Sequence, residues 1–158
     1  MLKLYYLCQL LFRYAPAFQD VVDTELTTMG MDPRSNQCIG MHVRHGDACY
    51  AGGHRLCVRL ESHLAVARQM RLRYGLKKVY LLTDDPHIAK GVVSGEYTSA
   101  LEGLEVIMQS MNRDVYDGPE NQNEFADQMG SRALTEMLVD ITAASTCEAF
   151  VGSSSSGI

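Results

Sequence analysis

Four polar side chains lie close together at the end of a short apolar run, in the segment His42-Val43-Arg44-His45-Gly46-Asp47. If the run is a strand, its side chains alternate between two faces, so His42 and Arg44 point the same way. An arginine placed where a strand opens into a loop can bind a diphosphate through two parallel hydrogen bonds. Asp47 would then hold the guanidinium or cap the loop. The alternative is an exposed Arg–Asp ion pair, which contributes little energy.

Two adjacent carboxylates, Asp84 and Asp85, follow a second apolar run over residues 79–82. At a strand end they could contact a sugar hydroxyl or a metal ion. The alternative is that one of them caps a helix whose first residue is Pro86, a position that proline prefers. Because no third carboxylate lies at the spacing of a metal-ligand set, we predict no metal site here.

The last apolar run of the chain is followed by Ser153–Ser156 and Gly157. Hydroxyl and backbone N–H groups after a strand form a cradle for an anion. The alternative is a flexible polar tail. A cradle at this position would face the same ligand as Arg44 if both strands end at one edge of a sheet.

Asp140 lies in a predicted helix between apolar neighbours, within Leu138-Val139-Asp140-Ile141. A lone helical aspartate usually belongs to a solvated face. The apolar flanks favour instead a carboxylate that points into a cleft. There it could accept two hydrogen bonds from a guanine edge, at N1–H and the 2-amino group.

The elements that must position these groups alternate along the chain. Apolar spacing, proline and glycine positions predict the helices and strands. The predicted helices are residues 2–13, 16–29, 60–74, one that begins at Pro86, and 131–145; the predicted strands are 38–43, 79–82, 104–108 and 149–151. This alternation predicts an α/β fold, a Rossmann-like parallel sheet with flanking helices. In such sheets ligands bind at the carboxyl ends of strands, which would bring 44–47, 83–85 and 152–157 to one rim.

The composition fits one domain over residues 1–158, with a helical lead-in over 1–30 and a sheet core over 38–158. Fourteen Lys and Arg against 19 Asp and Glu give a net charge of −5, which argues against a nucleic-acid-binding domain. None of the five cysteines forms a Cys-x-x-Cys pair, so a zinc ribbon and a thioredoxin-like site are excluded. Cys49 and Cys57 either form a bridge or remain two free thiols.

The two ends of the chain support different expectations. Residues 4–12 are apolar and precede Ala15-Pro16-Ala17, which fits an amphipathic helix better than a signal peptide. This run is too short to span a bilayer. At the other end, the Ser/Gly turn stops before the helix that usually follows such a turn, so we expect an incomplete fold.

Two of these segments resemble motifs of the α1,6-fucosyltransferase family, the GDP-fucose-dependent enzymes that modify the core of N-glycans, and of the related nodulation fucosyltransferases. Residues 39–47 are similar to the family's first motif, a strand ending His-Val-Arg-Arg-x-Asp, and residues 79–86 to its second, Val-Tyr-Leu-x-Thr-Asp-Asp-Pro. Residues 138–141 and 150–156 are similar to its third region. Order and spacing agree from about residue 10 to the end of the sequence.

The resemblance implies a two-lobed glycosyltransferase of the GT-B type, of which this chain holds mainly the donor-nucleotide lobe. It implies that Arg44 binds the β-phosphate of GDP-fucose, that His42 and Asp140 contact guanine, and that Ser155 and Ser156 contact the diphosphate.

On the same basis we place Asp84 and Asp85 in the donor site and assign catalysis to Arg44 and Asp47. The expected function is inverting transfer of L-fucose to a glycan acceptor, in an α1,6 linkage of the N-glycan type. The resemblance further implies no cofactor and no obligatory metal. It implies work in the Golgi lumen with a membrane anchor near the N-terminus, although no anchor is visible in this sequence. We expect no nucleic-acid partner.

The sequence departs from the family pattern where the acceptor hydroxyl would lose its proton. Gly52 stands where the family has a glutamate proposed as the general base. Proton abstraction would then fall to Asp47, His54 or Glu61. Three further departures are His45 for the second arginine, Gly46 for a threonine and Ala48 for a lysine.

Two other functions compete with transfer. The first is a nucleotide-binding remnant without catalytic activity, which Gly52 and the short C-terminus favour. The second is a histidine-phosphatase-type hydrolase, because Arg44-His45-Gly46 is similar to that family's phosphorylated Arg-His-Gly signature. That family also needs a second histidine after a late strand, where this chain has serines.

Overall fold

The computed structural model describes residues 13–45, 49, 57–116 and 130–153. Within these ranges the chain alternates helices and strands. The helices are α1 (Pro16–Thr28), α2 (Leu60–Tyr74), α3 (Pro86–Ser94), α4 (Thr98–Leu101) and α5 (Ser131–Ser145), and a 3-10 helix spans Arg113–Tyr116. The strands are β1 (Asn36–Val43), β2 (Lys78–Thr83), β3 (Glu105–Ile107) and β4 (Cys147–Val151).

The four strands form one parallel sheet in the order β3-β2-β1-β4. In the central pair, Ile39 lies opposite Val79, and on the other side of β1, Gly40 lies opposite Phe150. The predicted α/β, Rossmann-like parallel sheet with flanking helices is therefore confirmed at this level. The short strand β3 lies at one side of the sheet and β4 at the other.

Helices cover both faces of the sheet, as the near-continuous apolar strands require. On one face, Ile39, Met41, Val79 and Leu81 pack against the buried side of α2 and α3. On the other, a cluster from α1, α5 and the alternate strand positions is fully or almost fully buried: Val22, Leu26, Cys38, Tyr80, Leu82, Val139 and Ala143. The site residues at the strand ends thus stand on a sheet fixed from two sides.

Gly40 lets α5 approach the sheet closely. A Cβ atom at this position would lie 3.0 Å from the carbonyl oxygen of Ala144 and 3.1 Å from the Phe150 ring. Such a contact is tighter than ordinary van der Waals packing, so a larger residue would push the helix away. The close packing sets the height of α5, and hence of Asp140, above the sheet.

Two disulfides link described cysteines. Cys38 on β1 is bonded to Cys147 on β4, with a Cα–Cα distance of 4.8 Å across neighbouring strands. Cys49 is bonded to Cys57, which settles the alternative that the sequence left open in favour of a bridge. Sequence reasoning did not find the first bridge, because it depends on β4 pairing with β1.

The predicted element boundaries agree closely with the structure for the long helices. The 60–74 and 131–145 helices match, and α2 ends at Gly75, whose φ of 74° is left-handed. The strands β1, β2 and β4 are longer than predicted, and β3 is shorter. The 3-10 helix that follows β3 was not among the predicted elements. The predicted helix 2–13 falls almost wholly outside the described residues. No helix within the described residues is long and apolar enough to cross a membrane.

Candidate functional site

The strand order reverses next to β1, which identifies the edge where a ligand is expected. From β1 the chain moves outward through β2 to β3, then returns to place β4 on the far side of β1. In open parallel sheets, ligands bind in the crevice outside the carboxyl ends of the strands at such a switch point. Here Arg44 follows β1, and Gly152 and Ser153 follow β4.

Arg44 and Asp84 meet at this edge because β1 and β2 are neighbours in register. Arg44 Nη1 lies 3.6 Å from Asp84 Oδ2, and the two side chains are 24% and 13% exposed. That separation is typical of an ion pair and longer than a short N–H···O hydrogen bond. Asp84 Oδ1 accepts a hydrogen bond from the backbone N–H of His45 at 3.0 Å. Asp84 therefore contacts Arg44 and His45, the two residues that follow β1.

His45 is held between two acceptors. Its Nδ1 lies 3.1 Å from Asp85 Oδ2, and its Nε2 lies 3.0 Å from the carbonyl oxygen of Val58. The hydrogen bond to Asp85 is the main cause that raises the pKa of His45, opposed by burial. An imidazolium ion donates from both nitrogens, so this pair of acceptors favours the protonated form.

Asp85 also begins α3. Its Oδ1 accepts hydrogen bonds from the backbone N–H groups of His87 and Ile88 at 2.7 and 3.3 Å. The helix-capping prediction is thus confirmed for Asp85, while Asp84 is used by the loop after β1. Burial acts to raise the pKa of Asp85, but the hydrogen bonds from His45 and the helix N-terminus outweigh it and lower the pKa overall.

His42 presents a buried nitrogen near the switch point. Its Nδ1 is buried and has no hydrogen-bond partner among the described residues. Burial is the largest effect on its pKa and lowers it, with a smaller contribution in the same direction from Arg44, against the attraction of Asp84. A neutral imidazole with one unsatisfied nitrogen is suited to hydrogen-bond a ligand edge. A Cβ atom at Gly152 would lie 3.8 Å from the Cβ of His42, so the end of β4 passes close to it.

Asp140 lies in a buried polar network on the opposite side of β2 from α3. Its Oδ1 accepts a 2.6 Å hydrogen bond from the Tyr80 hydroxyl. With its amide oriented to satisfy both neighbours, Gln109 donates to the same oxygen at 3.2 Å and to the Glu136 carbonyl at 3.1 Å. Burial raises the pKa of Asp140 to about 6, against the bond from Tyr80 and the charge of Arg113.

Sequence reasoning missed Arg113, which ties this network to the end of β2. Its side chain is buried, and its Nε donates to the carbonyl oxygen of Thr83 at 3.0 Å. Its Nη2 donates to the carbonyl oxygen of Gln109 at 2.9 Å. Arg113 lies in a polar run with no periodicity, so no local signal distinguishes it from a solvated arginine.

The titration of Asp140 gives a stability prediction. An unfolded aspartate has a pKa of about 3.9, whereas the pKa of Asp140 in the folded chain is about 6. Between these two pH values the folded state therefore binds more protons than the unfolded state. Stability from this group is therefore highest below about pH 4 and falls by about 3 kcal/mol as the pH rises to about 6. We expect Asp140→Asn to remove this fall. The measurement is the free energy of unfolding in urea across this pH interval.

The control for this prediction is Asp20→Asn on the exposed side of α1. This variant makes the same chemical change without burial and should keep the wild-type decline. An unaltered decline in the Asp140→Asn variant would show that the carboxylate does not titrate as its surroundings require.

The predicted site residues Asp47, Ser155 and Ser156 and the candidate base His54 lie outside the described residues. The structure brings together His42, Arg44, Asp84 and Asp85 at one edge, with Gly152 and Ser153 beside them. Asp140 belongs to the interior network behind this edge. Among the described residues, no group of three or more His, Cys, Asp or Glu side chains is placed to hold a metal ion.

Comparison with known proteins adds no assignment to this geometry. No protein-family model matches the chain, and no curated protein matches it.

Proposed function

We propose that this chain is the donor-nucleotide lobe of a GT-B glycosyltransferase, an inverting fucosyltransferase that uses GDP-fucose. The observation that carries the proposal is the position of Arg44, at the carboxyl end of β1 and beside the reversal in strand order, with its guanidinium 3.6 Å from Asp84. A cation at this place in a parallel sheet is suited to a nucleoside diphosphate. The resemblance of residues 39–47 and 79–86 to fucosyltransferase motifs supports a GDP-sugar as the donor.

In the proposed reaction, an acceptor hydroxyl attacks the anomeric carbon of fucose on the side opposite GDP. A new carbon–oxygen bond forms as the bond from that carbon to the β-phosphate oxygen breaks, which inverts the configuration. The electron pair leaves with GDP, and the hydroxyl proton passes to a base. Arg44 stabilises the charge that grows on the β-phosphate, an interaction stronger in the transition state than before it.

The remaining donor contacts follow from the same proposal. His42, whose Nδ1 is buried beside the crevice, contacts guanine, while Ser155 and Ser156 contact the diphosphate. Asp140, which the sequence placed against guanine, is left out of the donor contacts because its carboxylate is buried against Tyr80 and Gln109. Asp84 and Asp85 shape the donor site around Arg44. The reaction needs no metal because cationic side chains neutralise the leaving group. Asp47 is the proposed partner of Arg44 in catalysis, with His54 and Glu61 as further candidates for the base.

The proposal also includes the cellular compartment and the acceptor. Two disulfides among the described residues fit an oxidising compartment such as the Golgi lumen. The acceptor would be a glycan or glycoprotein that binds mainly to a second lobe. A nucleotide-binding protein without transfer activity is the alternative that Gly52 favours, because that position lacks a carboxylate.

The environment of His45 disfavours the hydrolase alternative. A phosphorylated histidine needs one ring nitrogen directed at the substrate phosphorus. Here Nδ1 faces Asp85 and Nε2 faces the carbonyl oxygen of Val58, both within hydrogen-bond distance. Attack by His45 would require breaking one of these contacts.

Calorimetry with four nucleotides tests the donor class. We expect the purified chain to bind GDP and GDP-fucose, and to bind GMP and UDP at least about tenfold more weakly, because GMP lacks the β-phosphate and UDP lacks the guanine edge. Equal binding of UDP would contradict the guanine assignment, and equal binding of GMP would contradict the diphosphate assignment. No heat with any of the four would exclude a donor lobe.

A further inference from the structure

His45 connects three parts of the candidate site at once. Its ring joins Asp85 at the start of α3 to the Val58 carbonyl just before α2. Its backbone N–H donates to Asp84 Oδ1, and the other oxygen of Asp84 is the one nearest Arg44. His45 is therefore attached both to the end of β2 and to the residue that lies just before α2.

The attachment of His45 depends on its charge. As an imidazolium it donates to both Asp85 and Val58, whereas a neutral ring has one donor and leaves one of these two acceptors facing a lone pair. A lone pair directed at a carboxylate or a carbonyl oxygen is repelled. Loss of the proton would thus weaken one of these two contacts and loosen the hold on His45, the residue that follows Arg44.

We propose that His45 is a positioning residue for Arg44, which in its protonated form holds Asp84 and the guanidinium in the arrangement that binds the donor diphosphate. This inference rests on the proposed function for the identity of the ligand. The observations that support it are the contacts of the His45 ring and backbone N–H, which do not depend on the identity of the ligand. It makes donor affinity depend on the protonation of a group that need not touch the donor.

The charged groups around the imidazole agree with this role. Asp85 and Asp84 face it from the end of β2, and both raise its pKa, while the Val58 carbonyl faces it from the start of α2 and raises it further. His42, the other histidine at this edge, has a lowered pKa. His45 therefore has the higher pKa of the two histidines.

The test measures the affinity for GDP-fucose as the pH rises from about 6 through the raised pKa of His45. The diphosphate diester keeps its charge throughout. We expect the wild-type affinity to fall about tenfold as the pH rises. This is the size of the loss in metal affinity when a residue that hydrogen-bonds to a metal ligand is replaced. His45→Gln should bind weakly at every pH in this range. His45→Arg, a permanent cation with several donors, should keep high affinity at the upper end.

His87→Gln is the matched control, because His87 is exposed two residues beyond Asp85. It should retain the wild-type pH profile. A His45→Gln variant with the wild-type profile, or a His45→Arg variant whose affinity still falls with pH, would overturn the proposal.

A second measurement needs neither ligand nor variant. In the NMR spectrum of the wild-type chain, the Arg44 Nε–H resonance should shift with the same midpoint as the His45 ring. Independent midpoints would overturn the positioning role. If the wild-type chain binds no GDP-fucose at any pH, the proposed function fails, while these resonances still decide whether His45 positions Arg44.

Discussion

Arg44→Ala is expected to weaken GDP binding by about 10- to 100-fold, the effect of losing hydrogen bonds to a charged group. In a form of the protein that transfers fucose, we expect turnover to fall by about 100- to 1000-fold, as when other preorganised donors to a developing charge are removed. The reason is the position of the guanidinium at the end of β1, where it is braced by Asp84. Calorimetry and a transfer assay measure the two effects.

The matched control for Arg44→Ala is Arg73→Ala in the last turn of α2, an exposed arginine at the opposite end of that helix from the site. Both variants remove one positive charge, so a general electrostatic effect would weaken binding in each. We expect only Arg44→Ala to lose affinity. Unchanged turnover in Arg44→Ala would remove this residue from the mechanism.

Replacing both Cys38 and Cys147 by alanine is expected to lower the free energy of unfolding by about 2 to 4 kcal/mol. This bridge joins residues 109 positions apart, so it restricts the unfolded chain strongly. It also fixes β4 to β1, the two strands on either side of the predicted ligand crevice. Unfolding in urea, with and without a thiol reductant, measures the loss, and in the double variant reductant should remove only the smaller contribution of the Cys49–Cys57 bridge.

The second bridge supplies the comparison. Cys49 and Cys57 are eight positions apart, so their replacement by alanine should cost less stability. Because this bridge closes the chain between His45 and Val58, we expect its loss to weaken GDP-fucose binding more than loss of the 38–147 bridge does. If the two double variants lose equal stability, loop length does not explain the contribution of these bridges.

The fold follows from local patterns where those patterns are strong. Helix α5 could be predicted residue for residue, since its apolar positions recur at helical spacing. The start of α3 could also be predicted, because Asp85 and Pro86 mark it. Strand ends could not be predicted as well. β1 begins at Asn36 because the backbone N–H of this residue donates to the Thr146 carbonyl at 2.9 Å, a contact between residues 110 positions apart.

The candidate site likewise contains residues that could be predicted from local patterns and residues that could not. Arg44, Asp84 and Asp85 follow apolar runs that read as strands, and parallel topology was enough to predict that they share an edge. The roles of His45 and Arg113 could not be predicted, because they depend on single acceptors supplied by distant backbone, the carbonyl oxygens of Val58 and Thr83. Single-sequence patterns carry no signal for such contacts.

The position of β4 has a consequence for how the chain is made. During synthesis the first three strands can assemble as they emerge, but the remaining hydrogen-bonding edge of β1 acquires its neighbour only after residue 147 has left the ribosome. Until then the nascent chain carries an open edge, and Cys38 lacks its native disulfide partner. Such edges invite pairing with other chains, so late arrival of one short strand makes biogenesis sensitive to chaperone supply and to the timing of thiol oxidation.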